Sequence, residues 1–199
     1  MTVITKPIPE CDINEVVQVH NNAFKGFFLT ELGPEFLSKY YRSVARSEDG
    51  LLLGAYSDNK LLGFCAGCLR SSGFNSKLIK TNFYEFGLIG IKLLFTRPLS
   101  LLRLIKNLSK TGTTSDKGDY AELLSIAVDQ NAQNLGIGKL LMEELERYLK
   151  DRGINDLSLT TDKFNNQRTI QFYKKQGFNE LYIFTTYPNR EMYRLIKTL

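Results

Sequence analysis

Residues 121–139 read AELLSIAVDQNAQNLGIGK, and their reading decides the fold. Leu123, Leu124, Ile126 and Val128 make an apolar run of strand length that stops at Asp129. Gln133-Asn134-Leu135-Gly136-Ile137-Gly138 follows as a glycine-bearing turn. Ile137, Leu141, Leu145 and Tyr148 then recur at helical spacing, and Arg152-Gly153 closes that helix. Glycine at a helix start lets backbone come close to a ligand. The unpaired N–H groups and the dipole there attract anions, and Lys139 adds charge. The stretch predicts a phosphate or pyrophosphate site. It is not a Walker A loop, because Gly138-Lys139 is followed by Leu140. Nor is it a Rossmann fingerprint, whose third small residue would fall on Leu141. The plain alternative is that Gly136 and Gly138 only shape the turn.

Working outward, residues 3–8 alternate weakly as a first strand. Asp12 and Glu15 have capping-box spacing before a helix carrying Ile13, Val16, Val17 and His20. An aromatic loop covers residues 24–29, and residues 34–46 read as a second helix. Residues 51–56 and 61–69 flank the turn Ser57-Asp58-Asn59 as a β-hairpin. Downstream come a short strand (157–161), a helix (167–175) capped by Gly177, and strands at 181–187 and 192–196. This order suggests an α/β (α+β) fold: a central mixed sheet, partly antiparallel, with helices on both faces.

A second pattern follows about 30 residues later, past a helix and a strand: Asn166-Gln167-Arg168-Thr169-Ile170-Gln171-Phe172-Tyr173, then Gly177-Phe178. Gln133-x-x-Gly136-x-Gly138 between strand and helix resembles motif A of the GNAT acyl-CoA N-acyltransferases, and the second pattern resembles that family's other signature. The clear match spans residues 120–178, and the element order extends it to nearly the whole chain. Gln133 stands where Arg is commoner in the family, and Thr169 where Ala is common; neither removes a backbone donor.

The resemblance implies a GNAT fold, mostly antiparallel, and direct transfer of acetyl from acetyl-CoA to a primary amine, with no metal. It assigns the pantetheine arm to the backbone of Ile126, Ala127 and Val128. The pyrophosphate falls to the backbone N–H groups of Gln133, Asn134, Leu135, Gly136, Ile137, Gly138 and Lys139, and a further hydrogen bond to Asn166. Tyr173 sits where relatives place the acid that protonates the leaving thiolate, and Glu122 where several carry a carboxylate base. A carboxylate on a strand is costly to bury unless paired or used. Phe27, Phe28 and Glu31 resemble acceptor-side loops, and Tyr187 and Arg190 lie in the hairpin that completes that wall. His20, the only histidine, reads as structural, and a site built on several histidines is impossible.

At 199 residues with 43% hydrophobic and 24% charged content, the chain suits one globular domain (1–199) and excludes disorder. Cys11, Cys65 and Cys68 are an odd count, which suits a reducing compartment. Cys65 and Cys68 fall three apart on a strand, hence on opposite faces. Residues 1–10 are polar, with Pro7 and Pro9, unlike a secretory signal. A cytoplasmic protein is expected.

The net charge of +5 is local. Residues 74–119 hold eight Lys or Arg and three Asp or Glu, so the remainder is neutral. General nucleic-acid binding is therefore not expected. Within this insert Pro98 separates two apolar stretches. In the second, Arg103, Lys106 and Lys110 share a face opposite Leu101, Leu104, Ile105 and Leu108. A helical lid, a homodimer surface and a membrane-surface helix all fit. The basic charge would suit an acidic acceptor such as a nucleotide-linked amino sugar; a small-molecule amine or an amino sugar is favoured as acceptor, and a protein amine stays open. Outside the enzyme reading stand a non-catalytic acyl-CoA-binding module and a membrane-surface interaction protein.

Overall fold

The structure, a computed structural model, describes residues 2–108 and 116–199, with Asn107 and Leu108 as backbone only. Lys110 and the side chain of Leu108, placed on the insert helix by sequence, lie outside the described residues.

The strands are β1 (Ile4–Pro7), β2 (Gly50–Ser57), β3 (Lys60–Cys68), β4 (Ala121–Val128), β5 (Asp156–Asp162), β6 (Asn179–Thr186) and β7 (Arg190–Thr198). They form one sheet in the order β1-β2-β3-β4-β5-β7-β6. Only β4 and β5 run parallel; the other neighbours are antiparallel. The helices are α1 (Ile13–Ala23), α2 (Phe28–Glu31), α3 (Pro34–Arg46), α4 (Phe74–Thr81), α5 (Phe83–Thr96), α6 (Pro98–Leu108), α7 (Ile137–Lys150) and α8 (Gln167–Lys175). The expected fold class is observed, a mixed and mostly antiparallel sheet with helices on both faces.

The β2–β3 hairpin turns on Asp58 and Asn59, both with positive φ (50° and 61°). Two left-handed residues in a row twist a two-residue turn to match its strands. Along β2 and β3, alternate residues feed two cores. Leu52, Phe64 and Ala66 pack with α1, α3 and α5 through Val16, Leu37 and Phe86. Leu53 and Cys65 pack with α7 through Leu141 and Leu145. Cys68 lies in the first core and Cys65 in the second, on opposite faces as the spacing required. Burial pushes both thiols up to about 12.

Two local expectations are corrected. Asp12 and Glu15 do not form a capping box, because a 3₁₀ turn over Glu10–Asp12 leaves Asp12 at φ −90°, ψ 0°. The Asp12 carboxylate instead accepts from the Tyr56 hydroxyl at 2.9 Å, and Glu15 from the Leu61 N–H at 3.3 Å. Both acids tie α1 to the hairpin. Within the aromatic loop, Phe28–Glu31 closes into the single turn of α2.

The feature that positions the site is a fault line in the sheet. Opposite β3, Ala66 pairs with Ser125 and Gly67 with Leu123, so Leu124 is an extra residue on β4. Such a bulge bends and twists its strand. On the other edge, β4 pairs with β5 only from Ala121 to Leu123. Beyond Leu123 the two parallel strands part, and β5 stays with β7 through Asp162. A wedge opens at the carboxyl ends of two parallel strands, the usual place for a ligand in such sheets.

Candidate active site

The wedge is a cleft of about 700 Å³, within the size range of small-molecule sites. One side is β4 from Leu123 to Val128, with Ala132, Gln133, Asn134, Gly136, Ile137, Gly138 and Lys139 above it. The other side is Thr160, Thr161 and Asp162 of β5 with Asn166, just before α8, and Arg168, Thr169, Phe172 and Tyr173 of α8. An apolar wall from Phe24, Phe27, Phe28 and Leu29 closes one end, near Arg190 and Met192.

The glycine turn behaves as its chemistry requires. Asn134 and Gly136 are both left-handed, at φ 64° and 78°. Residues alternating between the two hands aim their N–H groups into a shared concavity. Among the described residues, no backbone N–H from Gln133 to Lys139 finds a protein acceptor. The next one, of Leu140, donates to Gly136 O at 3.0 Å. Gly136 has nothing within 4 Å of where a Cβ would stand, and Gly138 faces Phe172 at 3.6 Å. Unpaired donors, open space and the start of α7 together form an anion cradle. Lys139 lines it while pairing with Glu143 at 3.4 Å. Leu135 is exposed and is not among the lining residues.

The sequence-derived catalytic and acceptor residues divide into two groups. Tyr173 is buried in the cleft wall, between the edges of Phe172 and Phe178. Among the described residues its hydroxyl has no hydrogen-bond partner. Burial raises the phenol well above its usual range, so it keeps its proton. Asn166 lines the cleft, while its amide donates to Thr161 Oγ1 at 2.7 Å and Asp162 O at 3.2 Å. Phe27, Phe28 and Arg190 also line it. The Arg190 guanidinium grips Asp162 and lies 5.2 Å from the Phe27 ring centre.

Glu122, Glu31 and Tyr187 are not among the lining residues. The Glu122 carboxylate accepts from Ser71 and, at 2.6 Å, from Arg194; the two side chains are only 13% and 14% exposed. Glu31 pairs with Arg103 of α6 at 3.1 Å, and Tyr187 carries the Lys106 ammonium 4.2 Å over its ring. Both acceptor-side residues thus face the insert, because α6 packs beside the aromatic wall and supplies their cations.

His20 combines a structural place with the cleft. Its Nδ1 is 2.7 Å from the Tyr41 hydroxyl, while Nε2 is buried without a partner among the described residues. Burial lowers its pKa from 6.5 to about 4, so at neutral pH the cleft wall carries an uncharged imidazole. The unfolded chain binds the proton more tightly, so His20 adds stability above pH 6.5 that is lost as pH falls toward 4. Between pH 6.5 and 5 the loss is about 2 kcal/mol. Denaturant titrations of the wild type should show that slope, and His20→Leu should flatten it; equal slopes would refute the assignment.

Asp162, Arg168, Ser125 and Met192 are cleft residues that sequence reasoning missed. Arg168, exposed at the second position of α8, had a usable signal: a cation beside a helix start that follows a strand.

Comparison with known proteins agrees with this geometry. Residues 13–178 match the family model described as Acetyltransferase (GNAT) family. The [ribosomal protein bS18]-alanine N-acetyltransferase of Salmonella typhimurium is 39% identical over 69 residues, 35% of this chain and 46% of that protein. The chloroplastic GCN5-related N-acetyltransferase 2 of Arabidopsis thaliana is 37% identical over 65 residues, 33% of this chain and 24% of that protein. The matched region thus spans about half the length, or less, of these curated relatives. Among solved structures, the Escherichia coli ribosomal-protein-S18-alanine N-acetyltransferase superposes with a TM-score of 0.64 at 17% identity, over 99% of this chain and 94% of that one. A Thermoplasma acidophilum PaiA N-acetyltransferase in complex with coenzyme A gives a TM-score of 0.57 at 18% identity, over the whole of both chains. At these identities the structures speak for the fold.

Proposed function

Because the chain belongs to the GNAT acetyltransferase family, we propose that it transfers acetyl from acetyl-CoA directly to the N-terminal α-amine of a polypeptide. The observation that carries the reading is the parting of β4 from β5 beyond Leu123, directly below the unpaired N–H groups of residues 133–139. The open edge of Ile126–Val128 pairs with the amide-rich pantetheine arm. The cradle holds the pyrophosphate, and Lys139 and Arg168 add charge at its rim. A backbone N–H at Ala127 or Val128 faces the thioester oxygen, where charge develops. Tyr173 donates to the departing thiolate.

The cleft's titratable groups argue for a weakly basic acceptor. Among its described lining residues the one carboxylate, Asp162, is held by Arg190, and His20 is a poor base at about 4. An α-amine with pKa near 8 is roughly 10% neutral at pH 7, a lysine ε-amine only roughly 0.04%. The α-amine asks little of a base. The bS18-alanine enzymes among the relatives act on a protein amine, which supports the same class. An anionic amino sugar is less well served, since Arg103 is already paired with Glu31.

Two measurements test the reading. Acetyl-CoA should bind the wild type saturably in a calorimetric titration. Gly136→Glu should bind at least tenfold more weakly, because it sets a carboxylate in the anion cradle; no binding by folded wild type would overturn the donor. Peptides with a free N-terminus and an internal lysine should acquire acetyl on the α-amine, read by mass spectrometry. Faster modification of the lysine, or of glucosamine, would overturn the acceptor.

A further inference from the structure

Helix α5 is apolar on two sides. Phe86, Ile89 and Leu93 are buried in the core against α3, where the Phe86 and Phe36 rings lie 5.5 Å apart. On the other side Tyr84, Leu88, Ile91 and Phe95 make a stripe at helical spacing, and α6 continues it with Leu99 and Leu102. All six are exposed, Phe95 at 81% and Leu99 at 79%. Soluble proteins rarely show a contiguous patch of this kind unless it meets a partner.

The charges of α5 do not moderate the stripe. Its two ionic groups turn back to α3: Glu85 pairs with Lys39 at 3.0 Å, and Lys92 with Glu35. The cations that flank the stripe along the chain are different. Lys80 precedes α5, Arg97 joins α5 to α6, and Lys106 stands on the last turn of α6. None of these three is in an ion pair among the described residues; Arg97 donates to the Glu31 carbonyl and Lys106 lies over Tyr187.

We propose that the α5–α6 face seats the protein on an anionic lipid bilayer surface. The chemistry of the face singles out this occupant. Lys80, Arg97 and Lys106 flank this face outside any ion pair among the described residues, so a second copy docking by the same face would set like charge against like. An anionic headgroup layer matches the cations, and its acyl boundary accepts the aromatic and aliphatic stripe. Helices of 14 and 11 residues reach about 21 and 16 Å, short of the ~30 Å hydrocarbon core, so they lie in the interface plane. The same α6 holds Phe28 and Glu31 through Arg103, so the seated face brings the aromatic end of the cleft to the bilayer. The docking stands whether or not the acceptor is a polypeptide.

The test is co-sedimentation of the full chain with vesicles of phosphatidylcholine and phosphatidylglycerol in equal parts, beside vesicles of phosphatidylcholine alone. Binding is expected on the anionic vesicles, weakening in high salt. Lys80→Gln with Lys106→Gln should reduce it by about fivefold per cation. Ile91→Glu with Phe95→Glu, at exposed positions that leave the fold intact, should reduce it at least tenfold while acetyl-CoA titration is unchanged. Failure of the folded wild type to bind anionic vesicles in low salt would overturn the proposal. Binding indifferent to the Ile91 and Phe95 changes would do the same. So would a dimer, seen by light scattering, that those two changes dissociate.

Discussion

Tyr173→Phe should lower kcat about a hundredfold, the usual scale for losing a positioned proton donor, and leave the melting temperature almost unchanged. The second half follows from where the hydroxyl stands. The side chain is 7% exposed, and its ring packs against Phe172 and Phe178. Its oxygen bonds no group among the described residues, so Phe keeps every ring contact and orphans no partner. The first half follows from the phenol's state. Burial holds it protonated at any working pH, so it enters each turnover as a donor. Even an ordinary phenol at pKa ~10 lies about 1.5 units above a thiol at ~8.5, so complete transfer is uphill by about 2 kcal/mol. Its larger service is a hydrogen bond to sulfur as negative charge grows there, strengthened by the dry wall around it. The effect should therefore fall on kcat, with KM for acetyl-CoA changed less than threefold. Steady-state kinetics on a peptide that the wild type acetylates would decide it; undiminished kcat would remove Tyr173 from the chemistry.

The elements that the sequence announced are those whose signals are local. The Asp58-Asn59 turn, the helical recurrence of Ile137, Leu141 and Leu145, and Gly177 after α8 need only near neighbours to act. The cradle was legible for the same reason: its donors belong to one short stretch of backbone. What stayed hidden depends on register and on distant partners. The extra residue Leu124 has no compositional mark, since leucine suits a regular strand as well as a bulge, yet the sheet parts beside it. Asp12 and Glu15 have capping-box spacing but serve the β2–β3 hairpin, whose position no local pattern reveals. That Glu31 meets Arg103 and Tyr187 meets Lys106 is hidden as well, because α6 brings those cations from far along the chain. Met192 and Asp162 meet in the cleft only because β7 returns beside β5.

Glu122 turns the same difference into a second experiment. A carboxylate on the strand before the glycine turn could be read as a catalytic base. Its surroundings favour another. The carboxylate is held 2.6 Å from Arg194 Nη1 and accepts from Ser71. Arg194 Nη1 also reaches Ser158 Oγ at 3.3 Å, and its Nε is buried without a partner among the described residues. The pair therefore fastens β4, β5 and β7 where β4 and β5 are still joined, at Glu122 opposite Ser158 and just before the strands part. Removing one partner of a buried ion pair leaves the other charge uncompensated, at a cost of about 3 kcal/mol. Glu122→Gln should thus lower the melting temperature by roughly 10 °C, while kcat per folded molecule falls less than threefold. Pairing it with Arg194→Met should restore part of the lost stability, because no buried charge is then stranded. A base predicts the reverse: stability nearly intact, kcat down a hundredfold, and no recovery in the double variant. Thermal melts and kinetics on the same three preparations separate the two. If the pair carries the stability, Glu122 holds the wedge open from behind, and the acceptor amine must arrive neutral or lose its proton to water within the cleft.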